Sequence, residues 1–327
     1  MTGPVNTVSL NPRGEQPDAP DDSADPGECL ENFRQSAEPG DRLEKSRQQV
    51  TAEPKGVLDP TLAAQRFRLA RYEPAADLRS FIEHFWIVAW DLRGQDPYVQ
   101  KTLPYPCVHL VFDAGRTAIF GVMRGAFEYR LEGAGHVLGV RFRAGGFRGI
   151  LGGAVATLTD RTIPLSSVYE LDCDAAEASV LGAEGDAGMM QAVEAILRTR
   201  VPPLDETVGH VGAIVDRIGA DRSINRVDEL ATQVGMGERA LQRLFGDYVG
   251  VSPKWVIRRF RLHDAASRLA KAEDVNLTHL AQELGYSDQA HFTRDFKAIV
   301  GRSPSDYRRL ATSEESGGSA RLGGKPK

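Results

Sequence analysis

Two stretches of the chain set side chains able to read nucleic acid at helical spacing: GMGERALQRLF over 235–245 and GYSDQAHFTRDF over 285–296. At 100° per residue, Leu241, Leu244, Phe245 and Tyr248 fall on one side of the first. Arg239 and Arg243 fall opposite, with Gln242 beside them. In the second, Phe292, Phe296 and Ile299 share a side. Ala290, Arg294 and Lys297 lie opposite, flanked by Gln289, His291 and Thr293. These polar types bond phosphates or base edges in a major groove, arginine and glutamine in pairs of bonds. A solvated helix face would account for one such row. Two rows with matched cores point to DNA.

Other candidate chemistry lies upstream. Cys107 and His109 stand two apart in YPCVHLVF, hence on one face of a strand. Such a pair can act as a nucleophilic dyad, but a buried thiol beside a bonded histidine is the commoner arrangement. Cys29 lies in a polar arm and Cys173 among the acids of LDCDAAE, which disfavour a thiolate. His84, His109 and His136 are scattered with no His-x-His pair, so no metal is expected. Arg141 and Arg143 alternate onto one strand face in VRFRAGG, with Arg148 close by. Guanidinium forks of this kind hold an anionic effector, although a solvated strand face needs nothing more. No catalytic set and no cofactor are expected. The rival reading is a cysteine-dependent catalytic domain fused to a DNA-binding one.

The elements that must present the two rows are written twice. VDELATQVGM (227–236) aligns with LTHLAQELGY (277–286) at an offset of fifty. One residue is then gained, and Leu241, Arg243, Phe245, Gly250, Ser252 and Pro253 match Phe292, Arg294, Phe296, Gly301, Ser303 and Pro304. Each copy predicts a helix, a turn and a second helix, in tandem. Gly235 and Gly285 suit the left-handed residue that closes a helix. Ser287 is the expected N-cap of the second reading helix, and Gly237 a weaker cap for the first. The amphipathic stretch SPKWVIRRFRLHDAASRLAKA joins the copies.

Upstream, FRLARYEP, VHLVFDAG, TAIFGV, AFEYRLEG and HVLGVRFRAGG read as short strands of an antiparallel sheet, barrel or sandwich. ADLRSFIEHFWIVAW starts helix-like and ends β-prone. The expected fold is multidomain. A disordered acidic arm is expected over 1–57, a mainly-β domain over 58–175, a helical segment and linker over 176–206, an all-α domain of two helix-turn-helix units over 207–311, and a disordered tail over 312–327.

Net charge is −5, yet residues 206–309 hold 16 Lys/Arg against 14 Asp/Glu, so the acidic excess lies elsewhere. The first residues lack a basic head followed by an apolar run, and no stretch reaches the roughly 20 apolar residues of a membrane helix. The cytoplasm is the expected compartment, with no membrane partner.

Residues 208–310 resemble the DNA-binding domain of the AraC/XylS transcriptional regulators. The matches are LATQVGMGERALQRLF, GVSPKWVIRRFRLHDA and LAQELGYSDQAHFTRDFKAIVGRSPSDYRR, with Gly285, Phe292, Phe296, Gly301, Pro304 and Tyr307 in place. The resemblance implies a bacterial regulator whose partner is a duplex DNA operator, two helix-turn-helix units joined by a linker helix, and base-facing Arg239, Gln242, Arg243, Gln289, His291 and Arg294. It also implies a cupin-like, α+β N-terminal domain that senses a small-molecule effector, forms a homodimer, or both, and contact with RNA polymerase if the protein activates. Two positions depart from the family. Gly237 replaces a better helix starter, and Ala290 offers a thymine methyl contact at best.

Overall fold

The computed structural model describes residues 60–271 and 275–309, so the expected arm and tail lie outside it. Helix α1 (Pro60–Arg66) leads into strands β1 (Arg68–Tyr72), β2 (Ile82–Asp91), β3 (Tyr98–Thr102), β4 (His109–Phe112), β5 (Ala118–Phe120), β6 (Phe127–Leu131) and β7 (Ala134–Phe142). Helix α2 (Arg148–Leu151) and strand β8 (Thr162–Pro164) follow, then α3 (Cys173–Leu181) and α4 (Gly185–Arg198). Six strands form one antiparallel sheet in the order β1-β2-β7-β4-β5-β8, and β3 pairs with β6 as a separate ribbon.

Strand β2 shows how the sheet is two-faced. Phe85, Ile87 and Ala89 are buried on one side, while His84, Trp86 and Val88 alternate onto the other and are half-buried. The helical start expected before it is reduced to a single 3-10 turn over Ala76–Leu78. β-branched and aromatic residues then alternate at period two, which a strand accommodates better than a helix. Helices α3 and α4 cover the first face: Val180, Met189, Met190, Val193 and Leu197 share a core with Phe85, Leu138 and Phe142. The segment expected as a helical connector over 176–206 therefore contributes to the sheet's core up to Leu197. A sheet with one apolar face needs such a covering layer.

Helices α5 (Glu206–Ala220), α6 (Val227–Gln233), α7 (Glu238–Tyr248), α8 (Pro253–Ala270), α9 (Leu277–Glu283) and α10 (Gln289–Val300) follow, and residues 304–309 are again helical. Helices α6–α7 and α9–α10 are the two copies. Helix α8 serves both, since Val256 and Ile257 enter the core of the first unit while Leu262, Ala265 and Leu269 enter that of the second. The sheet domain adds Val122 to the first core, with partly buried Ala144 against it, and Leu103 to the second.

Candidate nucleic-acid interface and candidate effector cavity

Both units turn in the same way. Gly235 and Gly285 are left-handed, with φ of 67° and 76°. The following amides reach back to the preceding helix, Met236 N to Ala231 O and Tyr286 N to Ala281 O, each at 2.9 Å. This is the Schellman closure, which a residue with a Cβ adopts only under strain. Helix α7 then starts without a side-chain cap at Gly237. Helix α10 starts on Asp288 rather than the expected Ser287. The Asp288 carboxylate accepts from His291 N at 2.7 Å, and the Ser287 hydroxyl donates to Asp288 instead.

Leu241 and Phe245, like Phe292 and Phe296, are fully buried and anchor the reading helices. Arg239, Gln242 and Arg243 are exposed on α7, and Gln289, Arg294 and Lys297 are exposed on α10. Arg239, Arg243, Arg294 and Lys297 form no ion pair with any described residue. Thr293 is half-buried. Gln289 accepts a hydrogen bond from the Thr278 hydroxyl at 2.8 Å, which holds its amide near the start of the helix. His291 is placed differently. It is half-buried, its ring lies edge-on to Tyr286 at 5.1 Å, and its Nε2 stands 3.6 Å from Asp295. Asp295 in turn pairs with Arg258 of α8. The exposed row of α10 is therefore Gln289, Ala290, Arg294 and Lys297, with His291 on its inner flank.

Two arginines of α8 belong to the framework, which their residue type alone does not suggest. Arg261, 2% exposed, donates to the carbonyls of Ile218, Asp221 and Ile224, closing the end of α5. A cation there also meets the negative end of the helix dipole. Arg259, also 2% exposed, donates from Nε to the carbonyl of Pro104 in the sheet domain.

On the second face of the sheet, roofed by the β3–β6 ribbon, lies a cavity of about 240 Å³. Phe67, Trp86, Phe120, Met123, Phe127 and Tyr129 give it an aromatic, apolar wall. Arg141 enters it from β7. A register shift between Ile82 and His84 sets Glu83 beside it, with the carboxylate 2.9 Å from Arg141 Nε. The three arginines expected to act together are separated. Arg141 faces the cavity. Arg143, past the end of β7, is exposed and donates to Arg79 O at 2.6 Å. Arg148 sits 5.9 Å from the ring centre of Tyr248 on α7. The strand ends at Phe142, so the alternation that would have paired Arg143 with Arg141 stops one residue too early.

Cys107 and His109 do meet, Sγ lying 3.4 Å from Nε2. Nδ1 of His109 accepts from Trp86 Nε1 at 3.3 Å, which leaves Nε2 as the protonated nitrogen. The imidazole thus faces the thiol as a donor, the reverse of what a general base must do. Burial pushes the thiol up to about 11 and His109 down to about 3, with Arg141 adding to the histidine shift. His84 is held down to about 3 for the same reasons. His136 lies elsewhere, with Nε2 3.0 Å from Leu181 O. Among the described residues no three His, Cys, Asp or Glu side chains gather as a metal site, and no helix is long and apolar enough to cross a membrane.

The C-terminal part is thus a pair of helix-turn-helix units sharing one linker helix. The profile of a helix-turn-helix domain family matches residues 230–310, and that of a domain of unknown function, DUF6597, matches 70–164, from β1 to β8. The probable transcription factor PqrA of Proteus vulgaris is 33% identical over 87 residues, 27% of this chain and 70% of PqrA. The transcriptional activator RhaS of Pectobacterium atrosepticum is 33% identical over 86 residues, but those span 26% of this chain and 30% of RhaS. A probable AraC family transcriptional regulator of Rhodopseudomonas palustris, known by crystal structure, is 26% identical over 30% of this chain and 93% of its own, with a TM-score of 0.28. The chain belongs to the AraC/XylS family of transcriptional regulators.

Proposed function

We propose that the chain regulates transcription by binding duplex DNA with α7 and α10 in successive major grooves, and that the cavity of its sheet domain takes a small-molecule effector. The observation that carries the first part is the pair of exposed rows, Arg239, Gln242 and Arg243 on one helix and Gln289, Arg294 and Lys297 on the other. Each row stands on a buried aromatic core, and its arginines form no ion pair with any described residue. Helix α8 has 18 residues, a length of about 27 Å, which suits two reading helices set one duplex turn apart. The cavity supports the second part by its position, since the residues after β3 that line it also touch α8 and the second unit. Selection of bound duplexes from a random pool, followed by titration at several salt concentrations, tests the reading. Affinity should fall steeply with salt, as several cations displace counterions. A folded chain that enriches no sequence from the pool would refute it.

A further inference from the structure

The two reading units are copies, and one difference between them points to a task. In the second unit Asn276 caps α9, accepting from Thr278 N at 2.9 Å and from His279 N at 3.2 Å. Fifty residues earlier the capping position of α6 is held by Arg226, whose side chain makes no such bond. The asparagine of the first unit stands one residue further back, at 225, where it does not cap α6. It turns to the second unit instead. Asn225 Nδ2 donates to the carbonyl of Glu283, the last residue of α9, at a long 3.5 Å. Its Cβ lies so close to the turn after α9 that a side chain at Gly285 would come within 3.0 Å of it, whereas the equivalent Gly235 faces open space. The Oδ1 of Asn225 is buried with no hydrogen-bond partner among the described residues. A buried acceptor left unmet costs stability, so stability is not what this side chain supplies.

Both sides of this contact are braced against α8. On the first side, Arg261 donates to the carbonyls of Asp221 and Ile224, Asp221 accepts from Ser223 N at 2.9 Å, and Arg222 pairs with Asp264 at 2.7 Å. On the second, Glu283 pairs with Arg268 at 2.7 Å. The units keep separate cores divided along α8, and bodies joined in that way turn relative to one another unless a further contact holds them. The sheet domain touches each core, but Asn225 joins the units to each other. Helix α10 starts on Asp288, three residues after Gly285, so a shift at Gly285 passes to the whole reading helix. We infer that Asn225 is a positioning residue for DNA reading: set against the Glu283–Gly285 turn, it fixes the angle of α10 to α7 and so the number of base pairs required between the two half-sites. The inference rests on the reading that both helices enter DNA. It adds the residue that sets their spacing.

The test uses the full chain and duplexes that carry both selected half-sites at the best spacing, one base pair closer and one base pair further apart. Each base pair turns one half by about 35° and shifts it by about 3.4 Å. The wild type should bind the best spacing about tenfold or more tightly than either neighbour, the scale of a lost base contact. Asn225→Ala and Asn225→Ser, which remove the amide and its bulk, should cut that preference to about threefold or less, chiefly by weakening the best spacing. Their melting temperatures should stay within about 3 °C of the wild type, and a duplex with a single half-site should be bound as before. A spacing preference as sharp in both variants as in the wild type would overturn the inference. So would a loss equal at every spacing, or one that appears on the single half-site as well, since a merely structural residue or a direct DNA contact behaves in that way. The wild type separates the two levels. If it discriminates spacing and the variants do so equally, this inference alone fails; if it binds all three spacings alike, the reading of two helices in successive grooves fails beneath it.

Discussion

Arg243 and Phe292 sit on equivalent helices and face opposite ways. Arg243 is exposed and forms no ion pair among the described residues, so Arg243→Ala should leave the melting temperature unchanged and cost about 1–3 kcal/mol of affinity for a selected duplex. Phe292 is fully buried, and Phe292→Ala should instead cost about 3–5 kcal/mol of stability through the cavity it leaves. Both directions follow from a helical wheel, because residue type and spacing alone sort the faces of an amphipathic helix. The wheel says nothing of Arg259 and Arg261, whose type predicts exposure. They are buried because α8 packs against α5 and the sheet domain, contacts set by parts of the chain far apart in sequence. The neutral histidines give a further expectation. Burial lowers His84 and His109 to about 3 from an ordinary 6.5. Below pH 6.5 the unfolded chain takes up protons that the folded chain refuses, so their contribution to stability falls as pH drops towards 3. The slope is up to about 1.4 kcal/mol per pH unit for each ring. Urea unfolding at pH 6.5, 5.5 and 4.5 should follow that decline, and His109→Gln should flatten it. An equal slope in the variant would mean that the ring is not held neutral.

At the scale of elements, the turns of the two units offer a comparison within one chain. Gly235 and Gly285 share a left-handed backbone, but a Cβ at Gly235 meets open space while one at Gly285 would stand 3.0 Å from Cβ of Asn225. Gly235→Ala should therefore lower stability by about 1–2 kcal/mol from backbone strain alone, and Gly285→Ala by more. Thermal unfolding of the two variants decides this, and equal losses would mean that Asn225 gives way freely. These helices and turns could be read from sequence because the signal was repeated and strictly periodic. The choice of Asp288 over Ser287 as cap could not, since neighbouring residues of equal capping ability are separated only by the path of the backbone. The sheet was readable where apolar residues alternate, as in β2 and β7. It was not readable at β3, whose YVQKT is too polar to stand out, or at the three residues of β8. The α3–α4 layer was read as helical, but only the contacts with Phe85 and Leu138 reveal what it covers.

Across the whole molecule, the sheet domain and the two reading units are packed together. Val122 and Leu103 each enter one core, and the Thr159 hydroxyl donates to Gly250 O. Such contacts join residues more than a hundred positions apart in the case of Leu103, and no local pattern announces them. They make the full chain the proper object for DNA-binding experiments, because a fragment without the sheet domain would expose the surface that Leu103 covers. The two reading helices differ, with Arg239, Gln242 and Arg243 on one and Gln289, Arg294 and Lys297 on the other. A single chain should therefore prefer an asymmetric site whose halves lie about 10 bp apart on one face of the duplex. The most direct measurement is the affinity of the full-length chain for its selected site before and after about 5 bp are inserted between the halves. The insertion, which turns one half away from its helix, should reduce binding nearly to the non-specific level. Undiminished affinity for the inserted site would contradict it, since one unit alone would then be reading the DNA.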